Sequence, residues 1–336
     1  MNLAQDKTVL LFYKDYESDS FVPYDRYLKR VVKPILYKFN HKPKVTGFLV
    51  WCQLLIKALE QEGYTVHLNN YRLAKANPDY PVGVLGYPAV LENWTLLNPA
   101  IIGPGLFDHP AIVPDLMEDP RFHYYILTCQ WMLDMFKPYY GDSCVLWNAG
   151  MDVNQWPDTS KFTKTNDVLI YDKIRWNRDI YEPNLLESIT NFLGEKGLSY
   201  KIIRYGAYDH QMYHDHLMES RSMIFLCEHE TQGMAYQEAM SANVPILAWE
   251  NGFWLDPNRP SFDPNPIKAT SVPYFAAECG EKFQGADDFQ EKFDLFWSRL
   301  DTYTPRDYVN RELSFKKSAE LYMQYYSTLV PELTPA

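Results

Sequence analysis

The chain has 336 residues, a length that suits two domains of ordinary size and not one small core. Hydrophobic residues are 46% and charged residues 22%, which excludes a disordered chain, and a net charge of −11 argues against a general nucleic-acid binder. No apolar run approaches the roughly 18 residues of a membrane helix, and MNLAQDKTVLLFY carries no evident secretory signal.

In chain order, TVLLFY (8–13) reads as the first strand. A basic segment follows. From Asp25 to Lys44, Arg26, Lys29, Arg30, Lys33, Lys38, Lys42 and Lys44 interleave with apolar residues against one acid. This segment has two readings: an amphipathic surface for an anionic partner such as the inner membrane face, or a solvated helix face broken near Pro34. A helix is predicted from about Phe48 to Glu62, with Trp51, Leu55, Ala58 and Leu59 at helical spacing and Gly63 as its C-cap. Strands are then predicted at 65–69, 82–87, 100–106, 124–129 and 144–150. The polar stretch SKFTKTND, after Trp156-Pro157-Asp158, reads as a linker. Beyond it the pattern restarts, with strands at 167–172, 200–206, 222–227 and 245–250. Helices are predicted near 184–193, 212–219, 287–300 and 305–326, and one more begins at Gly233 or Met234. The proline-rich stretch after Gly252 reads as loop.

Strands alternating with helices predict α/β architecture with parallel sheets. Two doubly wound sheets would place a ligand at the carboxyl ends of their strands, in an interdomain cleft. The expected domains are 1–158, 165–304 and a closing helix over 305–327. Cys52, Cys129, Cys144, Cys227 and Cys279 form no CxxC pair and are an odd number, so they read as free thiols packed as small hydrophobes in a reducing compartment. The acceptor tripeptide Asn93-Trp94-Thr95 reads as a chance match without a signal.

The most informative stretch is EHETQGMAYQEAMSANVPILAWENG (228–252). Here SMIFLC ends in a turn, and a helix starts near Gly233. The unpaired N–H groups of a helix start favour a phosphate, and Gly233 allows close backbone approach. Glu230 in the turn and Glu238 in the second helical turn would accept bonds from hydroxyls on either side. Hydroxyls, a diphosphate and more hydroxyls describe a nucleotide sugar. The plainer reading is an acidic first turn that matches its own helix dipole.

The spacing of Glu230, Gly233, Glu238-Ala239-Met240 and Val244-Pro245-Ile246 resembles the donor motif of retaining glycosyltransferases of the GT-B fold, family GT4. CVLWNAGMDVNQWPD, through Asn148, Gly150, Asp152 and Pro157, resembles the end of that family's first domain. LIYDKIRWNRD resembles its next segment, with Lys173 where the family has arginine and Arg178 where it has lysine. His109 in FDHP stands where many members carry a histidine.

The resemblance implies two Rossmann-like domains and a C-terminal helix that crosses back to the first. It assigns the ribose hydroxyls to Glu238 and the hydroxyls of the transferred sugar to Glu230. Backbone around Gln232, Gly233 and Met234 would meet sugar and phosphate. Lys173 and Arg178 would neutralise the departing diphosphate, His109 would contact the donor sugar, and Gly47 would approach the phosphates from the other domain. The family's short glycine-rich first loop is replaced here by residues 14–46, with Gly47 standing alone.

The implied activity is transfer of a sugar from a nucleotide-diphosphate sugar to an acceptor hydroxyl, in the cytoplasm, without a metal cofactor. The alternatives are a non-catalytic glycosyltransferase-like partner subunit or sugar-nucleotide sensor, and a nucleotide-sugar epimerase of the same fold. His210, His214 and His216 have metal-like spacing but no HExxH, and read as an exposed polar helix. There is no GxSxG, GxxxxGK[ST] or GxGxxG, so hydrolase-elbow, P-loop and dinucleotide readings lack anchors. Among the aromatics, Trp249, Phe253 and Trp254 lie just past the donor strand, where rings can stack on sugars.

Overall fold

The computed structural model describes residues 3–15 and 47–331. The basic segment 25–44 and most of the insertion before Gly47 lie outside the described residues. The chain divides into two compact units. The first comprises residues up to Leu127, Phe136–Trp147 and the chain from Ala319 onward. The second comprises Thr128–Met135 and Asn148–Ser318.

The first unit is built on six parallel strands, β1 (Thr8–Lys14), β2 (Thr65–Leu68), β3 (Val82–Gly86), β4 (Ala100–Ile102), β5 (Phe122–Leu127) and β6 (Cys144–Leu146), in the order β2-β1-β3-β4-β5-β6. Parallel neighbours require crossovers, and α1 (Gly47–Gln61) buries Trp51, Cys52, Leu55, Ala58 and Leu59 against the sheet. It ends as its sequence predicts: Gly63 is left-handed at φ 80°, and Tyr64 N donates to Leu59 O at 3.0 Å. A short helix α2 (Tyr71–Ala76) is capped by the Asn70 side chain.

The fourth strand is shorter than expected. It stops at Ile102 because Gly103 and Gly105 take left-handed φ of 90° and 94° and turn the chain. α3 (Gln130–Tyr140), which the pattern did not predict, carries Pro138 in its last turn.

The second unit holds five parallel strands, β7 (Asn166–Lys173), β8 (Tyr200–Arg204), β9 (Ser220–Cys227), β10 (Ile246–Trp249) and β11 (Gly280–Phe283), in the order β11-β10-β9-β7-β8. The two central strands β7 and β9 are almost wholly buried, as near-continuous apolar runs require in a sheet covered on both faces. The intervening helices are α4 (Arg178–Tyr181), a π-helical turn (Glu182–Glu187) leading into α5 (Ser188–Glu195), α6 (His210–Glu219), α7 (Met234–Ser241) and α8 (Ala286–Ser298).

Residues 148–158, which the sequence reading places in the first domain, belong to the second unit. Both ends of the Gln232 side-chain amide pair with the Ala149 backbone, and Arg306 donates to Val153 O. The closing helix is two helices, α9 (Pro305–Glu312) and α10 (Phe315–Tyr326). They part where Ser314 forms a bridge with Met151. α10 ends in the first unit, where Tyr326 donates to Pro81 O at 2.6 Å and accepts from Leu10 N at 3.0 Å.

Candidate binding site at the carboxyl edge of the second sheet

From β7 the chain moves outward to β8 on one side and returns to β9 on the other, so the strand order reverses between β7 and β9. Such a switch point leaves a crevice at the carboxyl ends of the strands. Lys173 ends β7, and Glu228-His229-Glu230 follows β9. The topology therefore brings two of the sequence-predicted residues together.

Lys173 Nζ is ion-paired and hydrogen-bonded to Glu230 Oε1. Burial alone would lower the lysine, but the Glu230 carboxylate outweighs it and the Lys173 ammonium is held above its ordinary value. The same ammonium sits 4.6 Å from the centroid of the exposed Tyr205 ring.

Glu230 is fixed from several sides. Its backbone N–H donates to Thr270 O at 2.9 Å, and Trp131 Nε1 donates to its carbonyl at 2.8 Å. Glu228, which the sequence reading did not single out, is fully buried. Its Oε1 accepts from the backbone N–H groups of Arg175 and Trp176 at 2.7 and 3.0 Å, which ties the turn after β7 to the turn after β9.

Between these glutamates, His229 is buried in an aromatic surround. It stacks on Trp176 at 5.2 Å and meets Trp131 and Trp254 edge-on at 5.8 and 6.1 Å. Burial, with the charges of Arg175 and Lys173, pushes its imidazole down to about 3, so it is neutral at physiological pH.

Gly233 caps α7 in the left-handed conformation, φ 81°. A Cβ there would lie 2.0 Å from the Tyr236 ring, so shape and backbone both require glycine. Gln232 is buried, and its side chain is spent on Ala149. Met234 is the first residue of α7 and packs on the core.

Glu238, one turn further, differs from the other two carboxylates. It is half-buried and has no hydrogen-bond or ion-pair partner among the described residues. Burial pushes it up to about 8. It is a carboxylate position that the fold leaves uncompensated.

Arg178 already has protein partners. Its guanidinium grips Asp172 with two donors at 3.0 and 2.6 Å, and Glu182 and Ile174 O take two more. Asp172 and Glu182 hold it above its ordinary value. Arg175 is the second cation beside Lys173. It donates to His229 O at 2.9 Å, lies 4.1 Å from the Trp176 ring centroid, and its Nη1 has no partner among the described residues. It was missed because the resemblance sets the second cation at 178. The middle cation of KIRWNR was its only trace in the sequence.

Residues 250–279, between β10 and β11, form a connection much longer than the usual few residues. They bring Trp254, Thr270 and Tyr274 onto this turn, with Tyr274 N donating to the buried Tyr236 hydroxyl at 3.0 Å. Of the three aromatics singled out in the sequence, Trp254 lies here. Trp249 is core, and Phe253 is exposed.

His109 and Gly47 are in the first unit. His109 is buried and caps a 3-10 turn, with Nδ1 accepting from Ala111 N at 3.1 Å. Gly47 is the exposed first residue of α1, and a Cβ there would meet nothing within 4 Å. His210 and His214 share a helix face as expected, and their rings pack on Trp156 at 5.3 and 5.6 Å. All five cysteines are free and buried. Among the described residues no helix is long and apolar enough to cross a membrane.

No family model matches the chain, and no curated protein matches it either. Among solved structures, the catalytic domain of starch synthase IV from Arabidopsis thaliana, bound to ADP and acarbose, aligns with a TM-score of 0.57 at 9% identity. That alignment covers 96% of this chain and 99% of the other. TarM aligns at a TM-score of 0.51 and 12% identity, covering 76% of this chain and 56% of its own. A mutant of S. aureus TarM in complex with fondaparinux, α-GlcNAc-glycerol and UDP gives 0.50 at 11% identity, over 76% and 57%. The chain thus spans little more than half the length of TarM. At these identities the likeness is one of fold: two parallel α/β units, as in the GT-B fold.

Proposed function

We propose that the protein is a retaining glycosyltransferase of the GT4 kind, moving a sugar from a nucleotide-diphosphate sugar to an acceptor hydroxyl. The observation that carries this reading is Glu238. A half-buried carboxyl group without a partner among the described residues, one turn into a helix capped by left-handed Gly233, is a poor structural element and can pair with ligand hydroxyls in either protonation state.

In this reading Glu238 holds the ribose and Glu230 the hydroxyls of the transferred sugar. The first N–H groups of α7, with Gly233, take phosphate oxygens. Lys173 and Arg175 face the departing diphosphate. Arg175 replaces Arg178 in that role because Arg178 is committed to Asp172 and Glu182. Charge grows on the leaving phosphate as the glycosidic bond breaks, so fixed cations stabilise the transition state more than the ground state. The leaving phosphate oxygen then takes the acceptor's proton as the new bond forms on the same face. His109 and Gly47 are assigned to donor contacts from the first unit, and no metal is assigned to the reaction.

The fold likeness to starch synthase IV supports this reading, as does the E-x7-E spacing. The test is donor turnover. Incubation with a panel of nucleotide sugars, followed by NMR, should show one donor consumed, its nucleoside diphosphate released and the anomeric configuration kept. Inverted product, or no donor consumed with any acceptor class, contradicts it.

A further inference from the structure

The opposite edge of the second sheet holds a cavity of about 260 Å³ that the proposed chemistry does not use. β7 has eight residues, which at about 3.3 Å each separates the two edges by roughly 25 Å. The cavity lies where β7, β9 and β10 begin, against the turn that follows α8.

Two cations line it. Lys164 is half-buried, donates to Met218 O at 3.1 Å and has no ion pair among the described residues. Burial pushes it down to about 8, against the opposing charge of Asp158. Arg221 has a long contact with Asp167, at 3.6 Å, and its guanidinium lies 4.9 Å from the Trp297 ring centroid.

The hydroxyls around the cavity have already donated their protons elsewhere. Thr159 Oγ1 donates to Ala242 O at 2.8 Å, Ser160 Oγ to Asp158 at 2.7 Å, and Tyr303 Oη to Glu281 at 2.9 Å. Each has lone pairs left to accept with. The Asp301 carboxylate at the same cavity also accepts only. One set of wall groups thus asks for an anion and the other for hydroxyl donors.

We propose that this cavity is a second ligand site, for a small polyhydroxylated anion of the sugar-phosphate class. Lys164 and Arg221 meet the phosphate. Thr159, Ser160, Tyr303 and Asp301 accept from the sugar hydroxyls.

The test titrates glucose 6-phosphate, inorganic phosphate and glucose into the full chain and follows the melting temperature. Glucose 6-phosphate should give a saturable rise, with glucose and phosphate each at least tenfold weaker. The rise should persist in Glu238→Ala and weaken at least tenfold in Lys164→Met and in Arg221→Gln. Absence of saturation, an equal response to phosphate alone, or loss of the response in Glu238→Ala overturns the proposal. The last outcome would move the ligand to the carboxyl edge. Because the proposal does not depend on nucleotide-sugar transfer, failure of either one leaves the other standing. Should either variant fail to fold, acylation of Lys164 in the wild-type protein, followed by mass spectrometry, replaces that arm. Glucose 6-phosphate should slow labelling of Lys164 several-fold, and unchanged labelling refutes the site.

Discussion

Both sheets reverse their strand order once, and the two switch points are finished differently. In the first unit the carboxyl ends of β1 and β3 are fitted by shape. Gly86, at φ 99°, lies so close to Tyr13 that a Cβ would sit 2.8 Å from its ring, and Lys14 is held by Ala89 O at 3.0 Å and by Glu92. In the second unit the equivalent ends carry Lys173, Arg175, Glu228 and Glu230 in one hydrogen-bonded and ion-paired network. The contrast separates residues that hold the fold from residues available to a ligand. At the same edge, Glu228 is saturated with donors and Glu238 has none among the described residues.

The largest expected effect is on that saturated carboxylate. Glu228→Ala leaves two part-buried backbone N–H groups without their acceptor and Arg175 without its acid, and should lower stability by about 2–4 kcal/mol. Chemical denaturation would read this. A loss below 1 kcal/mol would break the contrast between the two glutamates. At the other switch point, Gly86→Ala forces a positive φ and a ring clash, and should cost about 2 kcal/mol or more with nucleotide binding unchanged in the folded fraction.

Glu230→Gln keeps the shape of the turn but leaves Lys173 without its counter-charge. Transfer should fall roughly a hundredfold or more in initial-rate assays, while the melting temperature changes less than in Glu228→Ala. Arg175→Ala and Arg178→Lys sharpen the division of labour between the two arginines. The first should weaken nucleoside diphosphate binding. The second loses the two-pronged grip on Asp172 and should mainly lower stability, by about 1–2 kcal/mol. The reverse pattern would return the phosphate role to Arg178.

The smallest effect is a pH dependence. Glu238 is raised from 4.5 to about 8, so between those values the folded protein binds more protons than the unfolded one. Its ionisation costs nothing below about 4.5, an increasing amount up to about 8, and its full amount above that. The melting temperature of the wild type should therefore fall relative to Glu238→Gln as pH rises through this window. Parallel curves would show that the carboxylate is better solvated than its burial implies.

The legible and illegible parts of the sequence divide along the same physical line. TVLLFY and SMIFLC are readable as strands because both faces are buried and both are apolar. β11, Gly280-Glu281-Lys282-Phe283, escaped because an edge strand with two charges has no such run. α3 escaped because Pro138 breaks its pattern near the end. In the site, Glu230, Gly233 and Glu238 could be read from spacing because they lie within one turn and one helix. Glu228 and Arg175 join turns 53 residues apart, and only the parallel pairing of β7 with β9 brings them together. The packing of residues 250–279 on the Glu230 turn is likewise a long-range arrangement that no local pattern encodes.

The most direct test of the central claim is thermal melting of the full chain against nucleoside diphosphates of each base, in wild type and Glu238→Ala, without added metal. One base should raise the wild-type melting temperature, with roughly 2.7 kcal/mol of stabilisation at a hundredfold excess over its Kd, and the rise should vanish in the variant. No shift with any base, or a shift that survives the loss of Glu238, would contradict a nucleotide-sugar site at the carboxyl edge of the second sheet.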